Sequence, residues 1–263
     1  MKNVIYTINA SSWWWSGCPK DTWEVAPLES MKKFADRVKA DLVVVNEDSI
    51  PTLCLPATFT PYQCSNMLKF YVFDHFVNSD YEKMLFLDLD IVVNENARNI
   101  FEEFECKGIH MMTQNWTPQI KAFQFFLLNH FNLNKKIINP EAGEAENENE
   151  TIPLYSGCSI IANKHSICDF YQKVPKLGEW FDFFRKYDLH KNPKSPDDVE
   201  FNEQNLISLF FHQQGVRVHR FFENWLRHFQ PYKPLEHKDA DAVHYSGPKG
   251  KKYLEEIMQR AEV

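Results

Sequence analysis

The chain has 263 residues, with 29 Lys and Arg against 36 Asp and Glu and a formal net charge of −7. That length, at 44% hydrophobic residues, suits one large α/β domain or two small ones and excludes a disordered, collagenous or coiled-coil chain. The acidic balance argues against nucleic acid as a partner, because such binders concentrate positive charge to displace phosphate counterions.

Asn3–Ile8 reads as a first strand. Trp13-Trp14-Trp15, flanked by Ser11, Ser12, Ser16 and Gly17, reads as a loop, either packed as a plug or open as a stacking surface for a sugar or base. Met31, Phe34, Ala35 and Val38 recur at helical spacing, and Leu42–Val45 is a short apolar run of the buried-strand kind. Pro51, Pro56 and Pro61 interrupt the pattern before a helix at Ser65–Phe76. Met84–Leu87 is a third strand that runs on into Asp88-Leu89-Asp90-Ile91-Val92-Val93. Asn139–Glu150 carries five glutamates and no large apolar residue, which predicts a solvated loop.

Further on, Ser159–Ala162 reads as a strand after Tyr155-Ser156-Gly157, and Ile167–Tyr171 and Phe201–Phe211 read as helices. Val216–His219 and Ala242–Tyr245 are short strands, and Tyr253–Gln259 closes as a helix. Alternating strands and helices predict a mostly parallel central sheet flanked by helices. Without an internal repeat, residues 1–263 read as a single domain. No apolar run approaches the ~20 residues of a membrane helix, and no leader pattern opens the chain, so the expectation is a cytoplasmic protein. The six cysteines show no CxxC spacing and read as free thiols.

Asp88 and Asp90 leave an apolar strand, two residues apart and so on one face. Ligands of open α/β sheets bind at such carboxyl ends. Two carboxylates there call for a cation or donors to offset their burial, and oxygen ligands suit Mg²⁺ or Mn²⁺ bridging to a phosphate.

Two families write this string. Asp88-Leu89-Asp90-Ile91-Val92 resembles the D-x-D-x-[TV] of haloacid dehalogenase-like phosphatases, which would make Asp88 a nucleophile. There the motif sits on the first strand, whereas here two strands precede it, and Asp197-Asp198 follows no strand. The D-x-D also resembles that of the GT-A glycosyltransferases. Val243-His244-Tyr245-Ser246-Gly247-Pro248-Lys249 is similar to the H-x-x-G-x-x-K ending of family 8, which includes glycogenin and bacterial lipopolysaccharide galactosyltransferases. Glu203-Gln204-Asn205-Leu206-Ile207-Ser208 resembles that family's D-Q-D-x-L-N helix start, and Tyr155-Ser156-Gly157 stands in place of its N-x-G turn. The small GT-A enzymes of large algal viruses are also similar.

The resemblance implies a Rossmann-like GT-A domain that moves a hexose from a nucleotide sugar, UDP being favoured, to a hydroxyl of a glycan or other acceptor, with retention. It implies Mn²⁺ or Mg²⁺ on Asp88, Asp90 and His244. Donor contacts would come from Thr7, Asn9, Lys69, Asp88, Gly247 and a basic residue at Lys249 or Lys251. Gln204 and Glu203 would lie at the reacting sugar, with Tyr155, Ser156 and Gly157 lining the substrate site. Trp225, within the aromatic run Phe221–Phe229, is the candidate acceptor platform. An inverting enzyme would instead need a general base, for which Glu203, Glu200 and Asp198 are available. A non-enzymatic sugar-binding module is the third alternative.

Overall fold

A computed structural model describes residues 2–10, 23–46, 49, 61–103, 108–114, 116–138, 150–172, 177–187, 202–221, 225–228 and 239–261. The Trp13–Trp15 run, Pro51 and Pro56, Asp197-Asp198, Glu200 and all but the last residue of the acidic stretch lie outside these residues.

The first strand, β1 (Asn3–Ile8), pairs in parallel with β2 (Ala40–Val45) and with β3 (Lys83–Leu87). Side chains alternate between two cores. Val4, Tyr6, Met84 and Phe86 point to one side, where α2 (Pro61–Asn78) contributes Met67, Phe70 and Phe73. Ile5, Leu85 and Leu87 point to the other, against Met31, Phe34, Ala35 and Val38 of α1 (Val25–Val38). With both faces covered, the inner strands are apolar throughout, as a buried sheet requires.

Beyond β3 the sheet continues through β8 (Tyr155–Asn163), β5 (Ile109–Thr113) and β9 (Val218–Arg220). β8 runs antiparallel to both β3 and β5, while β5 and β9 are parallel. The sheet is therefore mostly parallel with one reversed strand. A strand buried on both faces reads the same in either direction, so its apolar run did not disclose the reversal.

A second correction concerns the passage after Leu87. The expected continuous strand breaks: the Asp88 amide donates to Cys158 O (2.8 Å), and the Ile91 amide turns back to Asp88 O (3.1 Å). The chain then enters β4 (Ile91–Val93), in a separate three-stranded sheet with β10 (Leu226–His228) and β11 (Ala242–His244). The remaining elements are α3 (Ile100–Glu103), α4 (Thr117–Phe131), the β6 (Lys136–Ile138) and β7 (Thr151–Pro153) pair, α5 (Lys164–Tyr171), α6 (Leu177–Lys186), α7 (Glu203–Gln213) and α8 (Gly247–Ala261). Among the described residues no helix is long and apolar enough to cross a membrane.

Candidate active site

The turn between β3 and β4 presents Asp88 and Asp90, and the small sheet brings His244 to it. β11 lies antiparallel to β4 with His244 opposite Ile91, and the Tyr245 amide donates to Asp90 O at 2.8 Å. Pairing thus closes a long sequence gap and seats His244 Nε2 3.0 Å from Asp90 Oδ1. One ligand atom from each of Asp88, Asp90 and His244 lies within 4.8 Å of the other two. Two carboxylates and an imidazole suit Mn²⁺ or Mg²⁺. Ligands at right angles and about 2.1 Å from an ion stand about 3.0 Å apart, so the Asp90–His244 spacing fits such a centre.

The charges in this cluster act on one another. Burial pushes the Asp88 carboxyl up and Asp90 adds to the rise, against the pull of Lys69 and His244, leaving it above its ordinary value. Burial also works against the charged form of Asp90, but His244 and Lys251 outweigh it and hold that carboxyl low. His244 is held well above the usual imidazole range, because Asp90 and Cys158 overcome the effect of burial.

Behind Asp88 sits a buried cation. Lys69 on α2 places its Nζ 2.7 Å from Glu203 Oε1 and 3.2 Å from Asp88 Oδ1. Burial alone would lower its pKa, but the two carboxylates raise it instead. Glu203 is the first residue of α7 and is 4% exposed, and its second oxygen has no partner among the described residues. Gly157 leaves room for the pair: a Cβ there would lie 2.9 Å from Glu203 Oε1 and 3.0 Å from Lys69 Nζ.

No protein-family model matches the sequence, and no curated protein sequence matches it. Solved structures do. A glycosyltransferase involved in the glycosylation of the major capsid of PBCV-1 superposes with a TM-score of 0.53 at 13% identity, over 99% of this chain and 100% of that one. The galactosyltransferase LgtC, in complex with donor and acceptor sugar analogs, gives 0.52 at 9% identity, over 98% and 95% of the two chains. The chain has the GT-A glycosyltransferase fold. Mouse xyloside xylosyltransferase 1 adds a TM-score of 0.52 at 11% identity, over 92% and 96%.

In this GT-A fold the other expected site residues divide. Thr7 and Asn9 sit at the carboxyl end of β1, beside that of β3, and Thr7 Oγ1 and Asn9 Oδ1 are buried without a hydrogen-bond partner among the described residues. Asn66, one helical turn before Lys69 on α2, has its Nδ2 in the same condition. Such orphaned polar atoms call for a partner from outside the described residues. Gln204 is half-buried next to Gly157.

Tyr155 and Ser156 are buried: the Tyr155 amide donates to Ser208 Oγ (2.9 Å), its ring meets Phe211 edge-on, and the Ser156 hydroxyl donates to Cys158 Sγ (3.2 Å). Lys251 is 9% exposed with its Nζ 4.7 Å over the Trp23 ring, whereas Lys249 is exposed. Lys251 is also one of the charges that hold the Asp90 carboxyl low. Gly247 starts α8 at φ +71°, and Gly250 lets the helix press on the Tyr245 backbone, where a Cβ would come within 2.4 Å.

Trp225 requires correction as an acceptor platform. It is 0% exposed, packed against Phe34 and Phe221, with its indole N–H donating to Arg98 O (3.1 Å). A ring with both faces in the core offers none to a sugar. Trp116, just past β5, is 54% exposed. β5 and β3 both run antiparallel to β8, so Trp116 stands beyond the same sheet edge as Asp88. Neither Asn66 nor Trp116 belongs to a motif, so neither stood out in the sequence.

Proposed function

We propose that residues 1–263 form one GT-A domain that transfers a hexose from a UDP-sugar to a hydroxyl of a glycan or other acceptor, with retention of anomeric configuration, using Mn²⁺ or Mg²⁺. The observation that carries this reading is the Asp88–Asp90–His244 cluster beside the buried Lys69–Glu203 pair, at the carboxyl edge of a GT-A sheet. Asp88, Asp90 and His244 would hold the ion. A divalent cation bound there would supply Lewis-acid stabilisation of the departing diphosphate.

The chain's own groups do the rest. Thr7 and Asn9 receive the nucleoside, which would partner their orphaned oxygens. Lys251 adds positive charge toward the diphosphate, and Gly247 allows close backbone approach. Gln204 at the start of α7 and Gly157 on β8 face the sugar, and Lys69 fixes Glu203 and Asp88 in place. Glu203 is engaged by Lys69 at 2.7 Å, which supports a positioning role over that of a free general base and so favours retention over inversion. The GT-A fold weighs against the phosphatase alternative, in which Asp88 would act as nucleophile.

A thermal-shift panel of nucleoside diphosphates and sugar nucleotides, with and without Mn²⁺, tests this reading. A UDP-specific, Mn²⁺-dependent rise in Tm is expected. Stabilisation by beryllofluoride without nucleotide preference would point to the phosphatase, and sugar binding indifferent to metal and nucleotide would point to a non-enzymatic module.

A further inference from the structure

His244 belongs to two clusters. Its Nε2 faces Asp90 at 3.0 Å, and its Nδ1 faces His228 Nδ1 at 3.1 Å. On that second side, ligand atoms of Cys158, His228 and His244 all lie within 4.8 Å of one another. Backbone pairing builds this set as firmly as the first. His228 is the parallel partner of His244 in the β10–β11 ladder, and Cys158 is held at the end of β3 by the Asp88 amide on its carbonyl. Cys158 is 3% exposed, and its Sγ accepts from the Ser156 hydroxyl at 3.2 Å, an outer contact that steadies a thiolate.

We infer that Cys158, His228 and His244 form a second metal site, selective for a thiophilic ion such as Zn²⁺, next to the oxygen-rich site. One sulfur and two imidazole nitrogens suit Zn²⁺ and not Mg²⁺. Nitrogens bound at about 2.05 Å in a tetrahedron stand about 3.3 Å apart, close to the 3.1 Å between the two Nδ1 atoms. Three protein ligands leave a fourth position open.

The shared histidine makes the two sites exclusive. A neutral imidazole has one lone pair. When Nδ1 binds a thiophilic ion, Nε2 carries the proton and donates it to Asp90, so His244 is withdrawn from the Asp88–Asp90 centre. Zn²⁺ at the second site therefore antagonises Mn²⁺ at the first. This consequence rests on the proposed role of Asp88, Asp90 and His244; the Cys158 site itself does not.

Titrating the reduced full-length protein with Co²⁺ tests the site through the near-ultraviolet thiolate-to-cobalt absorption. The band is expected in the wild type, lost in Cys158→Ser, and weakened at least tenfold in affinity in His228→Ala. No band in the wild type, or one that persists in Cys158→Ser, overturns the site. Free Mn²⁺ measured by electron paramagnetic resonance reads the exclusion without relying on a variant's folding. Saturating Zn²⁺ should weaken Mn²⁺ binding at least tenfold, and undiminished binding overturns the shared ligand. A cobalt band without any Mn²⁺ binding would remove the transferase reading and leave the thiophilic site standing.

Discussion

The ammonium of Lys69 and the carboxylate of Glu203, 134 positions apart in sequence, meet at 2.7 Å with both side chains buried. Asp88 shares the same ammonium at 3.2 Å. One buried cation therefore serves two carboxylates, and Asp90 stands beyond them with its own partner in His244. A buried ion pair is costly to assemble, and removing one member is costlier still because it strands the other.

That arrangement is asymmetric, and the asymmetry can be measured. Lys69→Met strands Asp88 and Glu203 together and should cost about 3–5 kcal/mol in urea unfolding. Glu203→Gln leaves Lys69 paired with Asp88 and should cost clearly less. Equal losses from the two substitutions would contradict the shared-cation geometry.

Gly157→Ala offers a gentler probe of the same pair. The new Cβ would fall 2.9 Å from Glu203 Oε1 and 3.0 Å from Lys69 Nζ, atoms at the ends of long side chains that can give way. Stability should fall by about 1–2 kcal/mol, in the range of mild overpacking. Mn²⁺-dependent UDP-sugar affinity should drop at least tenfold, because Asp88 loses its positioned cation. Calorimetry showing unchanged affinity would separate the pair from donor binding.

How far the sequence disclosed this site depended on the length scale of each signal. Asp88-x-Asp90 and His244-x-x-Gly247 are local strings, and the apolar strands that carry them are short and continuous. Their meeting depends only on pairing of β4 with β11. The Lys69–Glu203 pair depends on how helices α2 and α7 pack, and the Cys158–His228 neighbours on how the two sheets meet, which no local spacing encodes. The reversal of β8 was hidden because both its faces are buried. β5, with His110 and Met112 half-buried between buried neighbours, and α4, apolar around much of its surface, showed no clean period. Trp225 was misread because an aromatic run looks the same whether it lines a cleft or fills a core.

At the far edge of the sheet, His110 on β5 stacks on His219 of β9, with centroids 5.0 Å apart, and its Nδ1 contacts Arg220 O at 2.9 Å. Burial lowers its pKa, the Arg220 carbonyl opposes that, and His219 adds to the lowering. A base with a depressed folded pKa contributes stability that is full above the unfolded value of about 6.5 and is lost as pH falls below it. His228, which burial and His244 push down to about 4, acts in the same sense, so the metal-free protein should lose Tm as pH drops from neutral toward 5. His110→Gln should flatten that slope, and an identical slope in the variant would assign the acid loss to other groups.

Trp116 and Trp225 make opposite predictions. Trp225 is 0% exposed, with Phe34 at 5.7 Å and its indole N–H held by Arg98 O, so Trp225→Ala should cost about 3–5 kcal/mol. Trp116 is 54% exposed beyond the carboxyl end of β5, on the edge that carries Asp88, so little stability depends on its ring. An indole there presents a flat apolar face to a sugar. Trp116→Ala should leave Tm within a degree or two and donor affinity unchanged, while raising the acceptor KM severalfold. Initial rates measured against varied acceptor at saturating donor decide the matter. A Trp116→Ala enzyme with wild-type acceptor KM would remove this tryptophan from the acceptor side of the site.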